Sequence, residues 1–303
     1  MSALWSSFSE VATRNPCAQF PLHRSVEFLS TPSSENYPIS DPYLKWDVAQ
    51  DAVNQGAALV MTSSALADRI GGPEQSRVYL TGYAEAADRL VSERSDLSRS
   101  RPIELVLRHA LDAAGLRPFE LDEIDLYSCF PCAVFLAAEA LGIEPASRAL
   151  TVTGGLPFFG GPGNSYSLHA IAETVTQLRG RTGATGLVLA NGGYLSKEAA
   201  GVYSTDRPMQ WRPVSSASLQ QDVDAEPALA LADPAGEAVI ETYTVPYAKG
   251  EPASATVLAR TNDGRRIMAR SKEPGAVRAI LNGDPIGRRI LFAAGDPQLW
   301  TVE

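Results

Sequence analysis

A chain of 303 residues, 45% hydrophobic and 20% charged, has enough apolar material for two folded domains and is not disordered by composition. A formal net charge of -9 and a pI of about 5.0 exclude a general nucleic-acid surface, which needs clustered positive charge. The three cysteines, Cys17, Cys129 and Cys132, suit a reducing compartment better than a disulfide framework.

Residues 1–56 read as helix pieces and irregular segments, punctuated by Pro16, Pro21, Pro32, Pro38 and Pro42. The opening segment carries no signal-peptide pattern, and no window reaches the ~18 uncharged apolar residues of a membrane span. A cytoplasmic location is therefore expected, with no membrane partner. The run AALVMTSS at 57–64 predicts a first strand, and SRVYLTGYAEA at 76–86 a second, from β-branched and aromatic content. Ile103, Val106, Leu107, Ala110, Leu111 and Ala114 recur at helical spacing, with Pro102 in the first turn and Gly115 at the end. EIDLYSCF reads as a short strand running into a turn, and 132–141 as an apolar helix. Cys129 and Cys132 form a formal CxxC, but no second metal-ligand pair follows, so no metal is expected and both thiols read as buried apolar residues. Residues 165–179 predict a helix with Leu168, Ile171, Ala172, Val175 and Leu178 on one stripe, and TGLVLAN and AAGVYS two strands. Strands alternating with helices over 57–205 point to a layered α/β domain. Residues 213–235, rich in Ser, Ala, Asp and Pro, read as a linker. Beyond them come strand-like runs, a hairpin signal at Asn262-Asp263-Gly264 and one short helix near PGAVRAIL. The tail carries Arg260, Arg265, Arg266, Arg270, Arg288 and Arg289 without interleaved aromatics, so a nucleic-acid role stands well behind a docking role.

The stretch GGLPFFGGPGNS at 154–165 concentrates glycine ahead of a helix. Three readings stand: a tight turn against nearby backbone, an anion site at the helix N-terminus, or a substrate-lining loop. Its spacing fits neither the P-loop nor the dinucleotide fingerprint, and spacing alone favours the turn. His169, in the helix after the loop, reads as a satisfied helix histidine, and His109 as solvated.

The order of segments adds a resemblance. RNPCAQF with VNQGAALVMTS, then IDLYSCFPCAVFLAAEALGI, then GGLPFFGGPG, then LVLANGGYLSKEAAGVYS resembles the C-terminal half of the thiolase superfamily. It is closest to sterol-carrier-type and type-1 thiolase-like proteins with an additional C-terminal domain, often named acetyl-CoA acetyltransferases. The resemblance implies an α/β fold: the C-terminal half of a thiolase-like layered αβα fold, followed by a small β-rich, barrel-like domain. The expected boundaries are 1–72 for a loop-region remnant and first strand, 73–206 for the thiolase-like domain and 207–303 for the β-rich domain.

The same resemblance implies acyl transfer on coenzyme A thioesters, with the thioester as substrate and no separate cofactor. It needs a nucleophilic cysteine from the N-terminal half and an activating histidine in the glycine loop. Gly161 stands where that histidine would be, Ala190-Asn191-Gly192-Gly193 carries no cysteine, and Tyr127-Ser128 replaces the usual His/Asn and Asp/Glu. The chain is thus expected to be catalytically incomplete on its own. Tyr127, Cys129 and Asn191 remain as catalytic candidates. Tyr127, Ser128, Phe130, Gly160, Gly161, Asn164, Asn191 and Gly192 are the expected thioester-binding residues, with the amides around Gly160 and Gly161 offered to a carbonyl. The basic run ending at Arg101-Pro102 would meet phosphates, or is simply solvated. The alternative is a non-catalytic assembly subunit, as a homo-oligomer or paired with a separate thiolase N-terminal half.

Overall fold

The computed structural model describes residues 1–211 and 215–303. In chain order, α1 (Ser2–Arg14) and α2 (Val26–Ser30) precede a short antiparallel pair, β1 (Pro38–Asp41) and β2 (Tyr43–Leu44). Then come α3 (Ser64–Ile70), β3 (Tyr79–Ala87), α4 (Arg101–Ala114), β4 (Glu123–Asp125), α5 (Pro131–Leu141), α6 (Tyr166–Leu178), β5 (Thr185–Gly192), β6 (Lys197–Ser204) and α7 (Ser216–Asp224). The remainder is β-rich: β7 (Leu231–Ala232), β8 (Gly236–Ala248), β9 (Glu251–Pro252), β10 (Ala255–Arg260), β11 (Arg266–Ser271), α8 (Pro274–Leu281), β12 (Arg289–Ala293) and β13 (Asp296–Val302). Two compact units interleave in sequence. The first is Met1–Ser30, Trp46–Asp88 and Ser100–Val223; the second is Thr31–Lys45, Arg89–Arg99 and Asp224–Glu303.

The first unit is built on a four-stranded sheet in the order β3-β6-β5-β4. β4 and β5 are parallel, and the other two pairings are antiparallel. The stripe predicted at 103–114 is buried along α4: Ile103, Val106, Leu107 and Ala110 are each at most 1% exposed. Each of the three larger side chains, Ile103, Val106 and Leu107, contributes about 1.5–3 kcal/mol when taken out of water. Ser100 caps α4 by accepting from the Ile103 amide, and Pro102 sits in its first turn. α1 belongs to the same core through Trp5 and Phe8, and the Trp5 indole N–H donates to the Asp47 carbonyl at 3.1 Å.

β3 can lie close to α4 only because position 82 is glycine. A Cβ there would fall 2.0 Å from the Ala110 carbonyl oxygen and 3.1 Å from the Ala114 Cβ. Gly82→Ala is therefore expected to force strand and helix apart at a cost of about 2–3 kcal/mol, read as a lower urea midpoint. An unchanged midpoint would mean that this contact is not close packed.

The second unit holds a nine-stranded sheet with the main order β13-β12-β8-β10-β11-β7, with β1, β2 and β9 joined through β8. Its core contains Ile240, Val257, Ile267, Ile280, Ile290 and Trp300. The Asp-Gly turn predicted at 262–264 does join an antiparallel pair, β10 and β11. Arg266, fully buried, is held by Glu241 at 2.6 Å and donates to the carbonyls of Val91, Ser92 and Arg94. Burial pushes the Glu241 carboxyl up, but its bonds from Arg266 and Arg260 outweigh this and hold it below the usual carboxylate range.

Three expectations need correction. The β-rich part is not barrel-like, because its sheet is open. Residues 57–64 form no strand: Val60 is 99% and Met61 80% exposed, with no neighbour among the described residues to pair with. Strand propensity cannot substitute for a partner. Part of the linker expected at 213–235 is α7, because Leu219 and Val223 at i, i+4 find a core to enter; residues 213 and 214 lie outside the described residues.

Candidate functional site

At the end of β4 sits a carboxylate that the sequence did not single out. Asp125 is completely buried and accepts five hydrogen bonds. They come from the Thr151 and Thr153 hydroxyls, the Val152 and Thr153 amides, and the Tyr166 hydroxyl, at 2.9–3.2 Å. Burial pushes its carboxyl up, against the pull of these donors. The network ties the strand end to the start of the glycine loop. Gly154 and Gly155 then fit against α1, where a Cβ would meet Ala12 at 2.5 Å or Phe8 at 2.5 Å. Both have positive φ, 110° and 79°. Close approach to α1 thus accounts for this first glycine pair.

Beyond Asp125 the chain leaves the parallel strand and presents Tyr127. Ser128 is buried, with its Oγ accepting from the Leu156 amide at 2.9 Å, so it braces the loop. Phe130 precedes α5 and is 39% exposed. The neighbouring parallel strand, β5, ends in Asn191 and Gly192, and β6 pairs back with Glu198 opposite Asn191 and Lys197 opposite Gly192. The carboxyl ends of adjacent parallel strands are a usual place for a ligand crevice.

Here lies a cleft of about 910 Å³, lined by Tyr127, Asn164, Ser167, Asn191, Gly192 and Glu198 among others, with Ser216, Ala217 and Gln220 of α7 on its wall. The Gln220 amide holds α7 to the end of β3, accepting from the Ala87 N–H at 2.9 Å and donating to the Ala87 carbonyl at 2.8 Å. Asn191 donates through Nδ2 to the Cys129 Sγ at 3.6 Å, while its Oδ1 is buried with no hydrogen-bond partner among the described residues. Burial pushes both the Tyr127 hydroxyl and the Cys129 thiol up to about 12, and the Glu198 charge adds to each. Both groups are therefore protonated at neutral pH.

Of the residues singled out from sequence, Tyr127, Asn164, Asn191 and Gly192 line this cleft, and Cys129 lies beside it. Gly160 and Gly161 do not line it. A Cβ on Gly161 would meet Leu156 and Tyr166, and its amide already donates to the Gln50 carbonyl at 3.0 Å instead of standing free for a ligand. Gly161 is still near, because Tyr166 packs edge-on against Tyr127 at 5.4 Å between ring centroids. Of the two thiols expected to be buried, Cys132 is exposed, because it faces outward at the start of α5, and Cys129 is half-buried; Cys17 is exposed as well. His169 is 7% exposed and lies against Phe159, but its Nε2 has no partner among the described residues, contrary to the satisfied histidine expected. Burial lowers its pKa. The basic run ending at Arg101 is not an open cluster: Arg94 is 8% exposed and donates to the Arg89 carbonyl, and Arg101 pairs with Glu104 at 3.1 Å. Among the described residues no three His, Cys, Asp or Glu side chains are grouped to hold a metal ion, and no helix is long and apolar enough to cross a membrane.

This sheet, with its glycine loop braced behind a strand-end cleft, defines a thiolase-like α/β protein. A family model described as "Thiolase-like protein type 1 additional C-terminal domain" matches residues 218–294. A curated acetyl-CoA acetyltransferase of Methanothermobacter thermautotrophicus is 27% identical over 191 residues, covering 57% of this chain and 48% of that protein. The crystal structure of a monomeric SCP2-thiolase like protein type 1 from Mycobacterium smegmatis matches all of this chain and 67% of its own, with 41% identity and a TM-score of 0.92. The chain belongs to the thiolase-like protein type 1 family. It spans about half the length of the curated relative.

Proposed function

We propose that the strand-end cleft binds the acyl–pantetheine end of a coenzyme A thioester, and that this chain by itself does not transfer the acyl group. The observation that carries the reading is the buried, unpartnered Oδ1 of Asn191 in the cleft that Tyr127 also lines. A stranded buried acceptor costs about 1–3 kcal/mol, which a ligand N–H would recover. A pantetheine amide supplies that N–H, and the neutral Tyr127 hydroxyl can donate to a thioester carbonyl. The similarity to a curated acetyl-CoA acetyltransferase favours this ligand class.

The electrostatics favour binding over turnover. Acyl transfer passes through a thiolate and an oxyanion, and sites that catalyse it aim donors at the developing charge. Here Glu198, 2% exposed, raises the pKa values of its neighbours Tyr127 and Cys129, so it opposes negative charge at that spot. Among the described residues, Lys197 is the only Lys or Arg lining the cleft, which suits a ligand whose phosphates stay outside.

Calorimetric titration with acetyl-CoA is the test. Heat of binding below ~1 mM ligand is expected, with Asn191→Ala weakening affinity roughly tenfold, as the loss of one useful hydrogen bond does. Free thiol should not accumulate. No heat from the folded chain at ~1 mM would overturn the reading.

A further inference from the structure

The inward row of β6 begins with a charge. Glu198, Ala200, Val202 and Ser204 are covered along this strand, and Glu198 is 2% exposed. Ala200, in the same row and 1% exposed, shows what such a position takes when packing alone decides. Glutamate is almost never covered to this degree without a compensating group, because taking a carboxylate out of water is costly. Of these four residues, Glu198 alone lines the cleft. The charge thus stands at the one end of the row where a ligand can meet it.

Register sets its neighbours. Glu198 is opposite Ala86 of β3 on one side and Asn191 of β5 on the other, and all three line the cleft. Residues opposed in this way have Cβ atoms about 4.5–5.5 Å apart. The Ala86 methyl offers no hydrogen bond, and α7 adds another methyl, that of Ala217. Asn191 directs its Nδ2 to the Cys129 Sγ at 3.6 Å, so its Oδ1 stands as an acceptor next to the carboxylate. Among the described residues the cleft is lined by two carboxylates, Glu85 and Glu198, against one ammonium, Lys197. Its lining is therefore negative and rich in acceptors.

We propose that the acyl group received here carries an amino group, protonated at neutral pH, and that Glu198 selects it. The inference rests on the reading of the cleft as a thioester site and adds the class of acyl group. A carboxylate has about four acceptor sites, so it can take a ligand donor beside any contact within the protein. A hydrogen bond to an ionised group is roughly twice as strong as a neutral one, and an ammonium also balances the charge of the lining. A hydroxyl at the same place answers the carboxylate without its charge. A methyl group there covers the carboxylate and supplies no donor. An acetyl group has nothing to offer Glu198 and binds through its thioester and pantetheine groups alone.

The test is calorimetric titration of the full chain with β-alanyl-CoA, β-hydroxypropionyl-CoA and butyryl-CoA. Their acyl groups have the same number of non-hydrogen atoms and end in an ammonium, a hydroxyl and a methyl group. β-Alanyl-CoA should bind about 10- to 100-fold more tightly than butyryl-CoA, the span of a hydrogen bond to a charged group, with the hydroxyl ligand between them. Glu198→Gln keeps the shape and removes the charge. In this variant the ammonium ligand should lose its lead over the hydroxyl one, while butyryl-CoA binds no more weakly than before. The order of the three ligands on the unaltered chain decides the matter even if the variant does not fold. Equal affinities, or a lead for the hydroxyl or methyl ligand, overturn the inference and leave the thioester reading standing. Binding of none of the three ends both. A Glu198→Gln variant that keeps the ammonium preference, or that weakens all three ligands alike, also overturns the inference: the ammonium is then held elsewhere, or Glu198 only supports the sheet.

Discussion

Asp125→Ala is expected to lower the melting temperature of the first unit by roughly 8–16 °C, the equivalent of about 4 kcal/mol in a unit of this size. The carboxylate is fully buried, and all five of its partners donate. Removing it strands the Val152 and Thr153 amides and three hydroxyls, where each uncompensated buried donor costs about 1–3 kcal/mol. Some donors would regroup: the Thr153 Oγ1 already lies 2.8 Å from the Tyr166 hydroxyl, so the full sum is not reached. Asp125→Asn should recover more than half of the loss, because its amide oxygen can keep the four bonds made to Oδ2 and its nitrogen can donate to the Tyr166 hydroxyl oxygen. The effect extends to the cleft. Tyr166 packs edge-on against Tyr127, and the Asp125 bond holds Tyr166 in place. Thermal melts of the three proteins decide the matter, and a shift below ~3 °C for the alanine variant would show that the loop is anchored by something else.

The sequence made the fold readable wherever a segment finds its partners within this chain. The α4 stripe and the β5–β6 pair follow from periodicity because their apolar faces are buried within the first unit. In α6 the helix is as expected but its buried face is not: Tyr166, His169, Ala170, Thr174 and Leu178 are covered, whereas Leu168 of the expected stripe is 37% exposed. The same rules fail at 57–64 for the opposite reason. Leu59, Val60 and Met61 carry the right propensity, but a strand is a property of two segments, and the second is missing from this unit. α7 is hard to see in the sequence, because its polar flanks outweigh a stripe of only two buried residues, Leu219 and Val223.

The site was legible in part. Tyr127, Asn164, Asn191 and Gly192 were picked out by resemblance, and they line one cleft. The sequence does carry a signal for Glu198: it begins the inward set of β6, with Ala200, Val202 and Ser204, and strand alternation puts a carboxylate in that row under cover. Asp125 offered no such signal. A strand three residues long shows no period, and its importance lies in contacts with residues 151–153 and 166, which no local pattern encodes.

Cys129 should be the slowest of the three thiols to alkylate, by about three orders of magnitude against an ordinary cysteine. Its thiol is pushed from 9.0 to about 12, chiefly by burial, then by the neighbouring Cys132, with Glu198 a smaller contributor. Each unit of pKa removes tenfold of the thiolate that reacts below it, so three units leave roughly a thousandth. With iodoacetamide at pH 8, the exposed Cys17 and Cys132 should label first, and Cys129 should label only after denaturant is added. Glu198→Gln should speed Cys129 only modestly, because burial is the larger cause. The experiment bears directly on function. A thiolate of low pKa at Cys129 would give the cleft a nucleophile, and the reading of a binding site without turnover would fail. If labelling of Cys129 keeps pace with Cys132 in the folded protein, that is the outcome to accept. If it lags a thousandfold, any acyl transfer in an assembled protein must draw its nucleophile from polypeptide other than this cleft.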